Sequence, residues 1–217
     1  MLKGVIFDMD GLMIDTEKLL TRFWCEAANH YGYPMTKEHV LGIRSLAAKY
    51  AIPHLKGIFG EDFDYYKVRG KRIELMNEFI RQNGIEKKKG LDELLDYLDS
   101  TGLKKAVATA TDLQRTTLYL GSINIIDRFD KLICGNMIEN GKPAPDIYLV
   151  AAKELELDPS ECIALEDSPN GIRSAHAAGC KPVMIPDLSQ PDEETKKLLY
   201  ACCDDLSNVI GVIQKLV

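Results

Sequence analysis

Asp8-Met9-Asp10-Gly11 places two carboxylates two residues apart at the end of the apolar run from Gly4 to Phe7. Residues two apart on an extended strand share a face, and like charges held there repel unless a cation or a proton intervenes. Hard oxygen donors of this kind suit Mg²⁺, which prefers octahedral oxygen coordination and keeps several waters. Gly11 lets the chain turn away sharply after the pair. Taken alone, the tetrapeptide is equally compatible with a solvated turn, because Asp and Gly commonly end strands.

Three later segments carry matching chemistry. Thr109 ends the run Ala106-Val107-Ala108, and Thr111 follows two residues on, offering hydroxyl and backbone donors to a phosphoryl oxygen near a helix start. Glu166-Asp167 closes the run Cys162 to Leu165 and adds two hard ligands. Lys142, in Gly141-Lys142-Pro143-Ala144-Pro145, offers a cation that offsets acidic repulsion and can bind phosphoryl oxygens. Singly, each has an ordinary reading as a cap or a surface charge. Together, at the ends of apolar runs, they point to one site.

The elements that must position them alternate. Five apolar runs, Gly4 to Phe7, Lys105 to Ala108, Lys131 to Cys134, Cys162 to Leu165 and Pro182 to Ile185, read as buried strands. Helices fall between them. Leu91 to Thr101 carries an apolar face and stops at Gly102; Pro145 opens a second helix; Ser168-Pro169 caps a third that ends at Gly179. This order predicts an α/β fold with a doubly wound parallel sheet, whose sites lie at the carboxyl ends of the strands. Residues 16–86 break the rhythm: Leu20, Phe23, Trp24, Ala27, Ala28 and Tyr31 follow a helical period, as do Ile73, Met76, Phe79 and Ile80. An inserted helical bundle is expected there, with 1–15 and 87–217 forming the core and 12–16 and 84–90 serving as a hinge.

Composition bounds the partners. A chain of 217 residues, 46% hydrophobic and 28% charged, is globular and buries roughly 70% of its unfolded surface. A net charge of −6 argues against a nucleic-acid backbone binder, which needs a basic stripe. Six scattered cysteines include no Cys-x-x-Cys pair. The first apolar segment is too short for a signal peptide or membrane span, so a cytoplasmic protein without a membrane partner is expected.

Phe7-Asp8-Met9-Asp10-Gly11, Ala108-Thr109-Ala110-Thr111, Gly141-Lys142-Pro143 and Leu165-Glu166-Asp167-Ser168 resemble, in order, the four motifs of the haloacid-dehalogenase-like superfamily. The resemblance spans nearly the whole chain. The inserted helices, with Ser168-Pro169-Asn170-Gly171-Ile172, are similar to the branch that includes β-phosphoglucomutase and many small-molecule phosphatases. Asp10, which the dehalogenase branch lacks, favours phosphoryl transfer. The resemblance implies that Asp8 attacks phosphorus to form an aspartyl phosphate while Asp10 serves as general acid and base. It implies Mg²⁺ held by Asp8, Asp10 through its backbone carbonyl, and Asp167, with Glu166 auxiliary, and phosphoryl oxygens held by Thr109, the Ala110 amide and Lys142.

The helical cap then selects the substrate. Thr16 and Arg44 are the expected residues on the substrate side of the cap; Lys49, Lys71 and Arg72 are expected at the surface, and none of His30, His39, His54 and His176 falls at a motif position. The branch's mutases typically carry a histidine where this chain has Leu20, and a lysine where it has Leu41. A phosphatase of small phosphorylated metabolites is therefore expected, acting as a monomer or weak homo-oligomer. The alternatives are a β-phosphoglucomutase-type phosphomutase and an inorganic pyrophosphatase. More distant is a receiver-like phosphoacceptor, which would lack so long an insertion and would carry its acidic pair on a different strand from its phosphoacceptor, whereas Asp8 and Asp10 share one strand end.

Overall fold

A computed structural model describes residues 1–44 and 46–216. Six parallel strands form one sheet: β1 (Gly4–Phe7), β2 (Lys104–Thr109), β3 (Lys131–Cys134), β4 (Cys162–Glu166), β5 (Lys181–Met184) and β6 (Ala201–Cys202). Their order is β3-β2-β1-β4-β5-β6, so the winding reverses at β1, and a crevice opens at the carboxyl ends beside it. The five expected strands are present within a residue or so. The sixth, two residues long, carries too little pattern to read from sequence.

The strands are apolar throughout because both faces are covered. Val5 and Phe7 pack with Leu94, Leu95 and Leu98 of α5 (Leu91–Thr101), while Ile6 turns to the other face with Tyr148, Ala151 and Ala152 of α7 (Asp146–Glu154). Each fully buried leucine there contributes roughly 1.5–3 kcal/mol. The register aligns the site: Phe7 pairs with both Val107 and Leu165, so the next residues, Asp8, Ala108 and Glu166, lie level.

Between β1 and β2 come α1 (Glu17–His30), α2 (Lys37–Gly42), α3 (Ala48–Phe59) and α4 (Tyr65–Asn83). These helices share a hydrophobic cluster of their own, centred on Trp24, Ala27, Ala28, Leu55, Phe63 and Val68. Phe23, Met76 and Ile80 join the cluster of the sheet instead, and so tie α1 and α4 to it. The two crossings expected to form a hinge are joined to each other: Asp15 N–H donates to Glu86 C=O at 2.9 Å, and Lys88 N–H to Met13 C=O at 2.9 Å. All six cysteines are free thiols. Among the described residues no helix is long and apolar enough to cross a membrane.

Candidate active site

Asp8 and Asp10 leave β1 in different surroundings. Asp8 is buried, and its carboxylate accepts from the Lys142 ammonium at 2.5 Å. Asp10 is half-buried and ringed by hydroxyls: Thr16 donates at 2.6 Å, Thr111 at 2.7 Å and Thr109 at 3.4 Å. A hydroxyl donates to a carboxylate and accepts from a carboxylic acid, so this ring fixes the orientation of Asp10 in either protonation state. Gly11 follows at φ +86°, and a Cβ there would collide with Asp167 Oδ2. Both the backbone and the close approach demand glycine.

Lys142 arrives from the loop between β3 and α7 and is 1% exposed. Besides Asp8, it donates to Glu166 Oε1 at 2.6 Å and to the Ala108 carbonyl at 3.1 Å. Burial alone would lower its pKa, but Asp8 and Glu166 outweigh burial and hold it above the usual lysine range. Burial pushes the Asp8 carboxyl well up; Lys142 opposes this, and Glu166, Asp167 and Asp10 add to the rise. The cluster carries more negative charge than its cations balance.

Glu166 and Asp167 diverge at the end of β4. Both Glu166 oxygens are engaged, Oε1 by Lys142 and the Tyr148 hydroxyl (2.6 Å), Oε2 by the Ser168 hydroxyl (3.3 Å) and the Asp167 N–H (3.3 Å). Glu166, the expected auxiliary metal ligand, accepts from Lys142 and also stands in one oxygen cluster with Asp8 and Asp167. Asp167 is fully buried, with Oδ1 lacking any hydrogen-bond partner and Oδ2 paired with Arg44. Oxygens of Asp8, Glu166 and Asp167 lie within 4.8 Å of one another. An orphaned buried carboxylate oxygen beside Asp8, in an all-oxygen set with excess negative charge, fits a hard divalent cation.

One of the two expected substrate-side residues, Arg44, lines the cavity, and the other does not. Thr16 is not on the substrate side of the helices; it begins α1, is fully buried and turns its hydroxyl to Asp10. Arg44, just beyond α2, is buried and places its guanidinium among Asp167, Glu17 (3.2 Å) and Asp187 (3.7 Å). Its charge is held by protein carboxylates, which raise its pKa against the opposing effect of burial. Glu17, unread in the sequence, is in turn pushed to about 8 by burial, with Arg44 opposing and Asp10, Asp8 and Asp187 reinforcing. Thr109 and Ala110 stand at the end of β2, where they were expected, beside Thr111.

A cavity of about 690 Å³ opens over these groups and is roofed by the inserted helices, with Trp24, Tyr65 and Arg72 on its far wall. Lys71 pairs with Glu74 near the surface, and the exposed Lys49 donates to Asn140 at the rim of the cavity. Arg72 is different: it is 5% exposed and lines the cavity, contrary to the surface position expected of it. The signal was in the spacing, since Tyr65, Val68, Arg72 and Met76 recur on the buried side of α4.

A parallel α/β sheet that gathers an aspartate pair, threonines and one buried lysine at its strand ends, under inserted helices, defines a Rossmann-like hydrolase core. The chain belongs to the haloacid dehalogenase-like hydrolase family, whose sequence signature matches residues 5–185. It is 29% identical over 186 residues to a phosphorylated carbohydrates phosphatase of Thermotoga maritima, covering 84% of each chain. It is 32% identical over 200 residues to a probable pseudouridine-5'-phosphatase of Drosophila melanogaster, covering 88% of this chain and 84% of that one. In fold it is similar to the crystal structure of a β-phosphoglucomutase from Clostridium difficile, with a TM-score of 0.84, 24% identity and coverage of 99% and 96%.

Proposed function

We propose that this chain is a Mg²⁺-dependent phosphatase of small phosphorylated metabolites, with 16–86 acting as a cap over a core of 1–15 and 87–217. The observation that carries the reading is the contrast within one strand end: a buried Asp8 locked to Lys142 beside an Asp10 oriented by three threonines. The two carboxyl groups are thereby given separate tasks. The names of the two relatives above, both phosphatases, support the hydrolytic outcome. So does Leu20, which offers no imidazole to the cavity.

In this reading an Asp8 oxygen attacks phosphorus as the ester P–O bond breaks, and Asp10 gives its proton to the departing oxygen. Asp10 then takes a proton from the water that attacks the aspartyl phosphate, releasing phosphate and regenerating Asp8. Thr109, the Ala110 amide and Lys142 hold the phosphoryl oxygens as charge spreads over them. Asp8, the Asp10 backbone carbonyl and Asp167 would hold Mg²⁺, which supplies charge neutralisation between the carboxylate nucleophile and the anionic phosphoryl group. Glu166 and Tyr148 keep Lys142 aimed at Asp8.

A panel of phosphate monoesters, pyrophosphate and β-glucose 1-phosphate with a bisphosphate primer tests this. Phosphate release that depends on Mg²⁺ and stops with a chelator is expected. Glucose 6-phosphate forming faster than phosphate is released would overturn hydrolysis in favour of transfer, and turnover of pyrophosphate alone would make the protein a pyrophosphatase.

A further inference from the structure

The cavity has a second cationic pole that the phosphoryl chemistry does not use. Arg69 and Arg72 stand three residues apart on α4, and Arg115 of α6 (Leu113–Ser122) meets them from the core; all three line the cavity. The Tyr119 hydroxyl donates to Asn77 Oδ1 at 3.0 Å and so pins α6 to α4 at this place. Arg72 is 5% exposed, with its guanidinium 5.3 Å from the centre of the Trp24 ring. Its Nε has no hydrogen-bond partner, and its other polar contact is Nη1 to the Met76 sulfur at 4.0 Å. Among the described residues, Asp112, at 2.8 Å from Arg115 Nε, is the one carboxylate in ion-pair contact with any of the three arginines.

A buried charge without a counter-ion is costly and persists where something else repays the desolvation. Burial, then Arg115 and Arg69, lower Arg72 to about 10, which still leaves it charged at neutral pH. Of the cavity's other cations, Lys142 is committed to Asp8 and Glu166 and Arg44 to Asp167 and Glu17, while Lys49 is exposed at the rim and donates to Asn140. Guanidinium forks match carboxylate and phosphate oxygens.

We propose that Arg72, with Arg69 and Arg115, forms a distal anion subsite, so that the preferred substrate is a phosphomonoester carrying a second anionic group, phosphate or carboxylate, on its far end. This rests on the phosphatase reading for the reaction but not for the binding. Two measurements separate them. The first compares kcat/KM for a hexose bisphosphate, a phosphorylated aldonate and a phosphorylated hexitol, which differ in the charge of the far end. The wild type should prefer one or both anion-ended compounds, and Arg72→Gln should shrink that preference by about 10- to 100-fold, the worth of a charged hydrogen bond, with Arg72→Lys recovering part. The stronger of the two preferences tells phosphate from carboxylate.

The second measurement needs no turnover. Trp24 is the sole tryptophan, and it lies beneath Arg72. Its fluorescence in Asp8→Asn protein should titrate saturably with the anion-ended compounds, and Arg72→Gln added to that protein should abolish the response. If no phosphoester is hydrolysed yet the titration holds, the phosphatase reading falls and the subsite stands. If the hexitol phosphate is hydrolysed and bound as well as the anion-ended compounds, or if Arg72→Gln lowers all three equally, the subsite is wrong and the phosphatase reading survives.

Discussion

Lys142 and Arg72 are both buried cations on the wall of one cavity, and the protein treats them in opposite ways. Lys142, at the strand ends, is surrounded by two carboxylates and a carbonyl, and its pKa is raised. Arg72, on the helical side, faces a tryptophan ring and other arginines, and its pKa is lowered. One cation is built into the scaffold that orients the nucleophile. The other is left to be neutralised by what enters. The comparison separates a preassembled reaction centre from a wall that is completed by its ligand, within a single cavity.

The most severe way to test the reaction centre is Asp8→Asn. Removing the nucleophile should lower turnover by about 10³-fold or more. Stability should not fall, because the change also removes one member of a crowded set of buried carboxylates. Retained phosphate release by Asp8→Asn would break the assignment of Asp8.

The two cations can be set directly against each other by urea unfolding. Lys142→Met strands Asp8 and Glu166 without their cation and should cost about 3–5 kcal/mol, as breaking a buried pair does. The same substitution at Arg72 removes an unpaired buried charge and should cost nothing or gain roughly 1 kcal/mol. Equal losses at the two positions would show that Arg72 is a structural ion after all.

Between these in effect lies Gly11→Ala. The new methyl would crowd Asp167 Oδ2 and the Glu17 side chain at a backbone φ of +86°. Displacing a carboxylate of the cation set should raise the Mg²⁺ concentration needed for half-maximal activity by about 10- to 100-fold. An unchanged Mg²⁺ requirement would mean that Asp167 does not hold the ion.

The strand-end half of this comparison was readable in the sequence, and the helical half was not. Asp8, Thr109 and Asp167 sit at or directly after the ends of apolar runs that read as parallel strands, so local pattern places them at the carboxyl ends of one sheet, and Lys142 is marked by its proline-flanked loop before a helix. Arg72 lies in a helix whose burial depends on where α1 and α6 pack against it. A charged residue at a buried helical position reads locally as one more solvated cation. Arg44 shows the same limit from the other direction. Its position near the site was legible, yet its partners Asp167, Glu17 and Asp187 come from three separate segments, and nothing local says that they neutralise it.

Thr16 carries the smallest effect and the finest distinction. A threonine at the start of a helix ordinarily caps it, and losing such a cap costs about 1 kcal/mol of stability. Here Thr16 begins α1 without making a side-chain cap bond, because its hydroxyl is spent on Asp10 at 2.6 Å. Thr16→Val keeps the branched shape and deletes that donor, so the helix should lose less than a cap is worth while Asp10 loses one of three orienting contacts. Turnover should fall about fivefold, the worth of one ordinary hydrogen bond, with KM little changed. Thr16→Ser restores the hydroxyl and should restore most of kcat. A Val variant that is destabilised by a full cap yet turns over normally would return Thr16 to the helix and leave Thr109 and Thr111 to orient the acid.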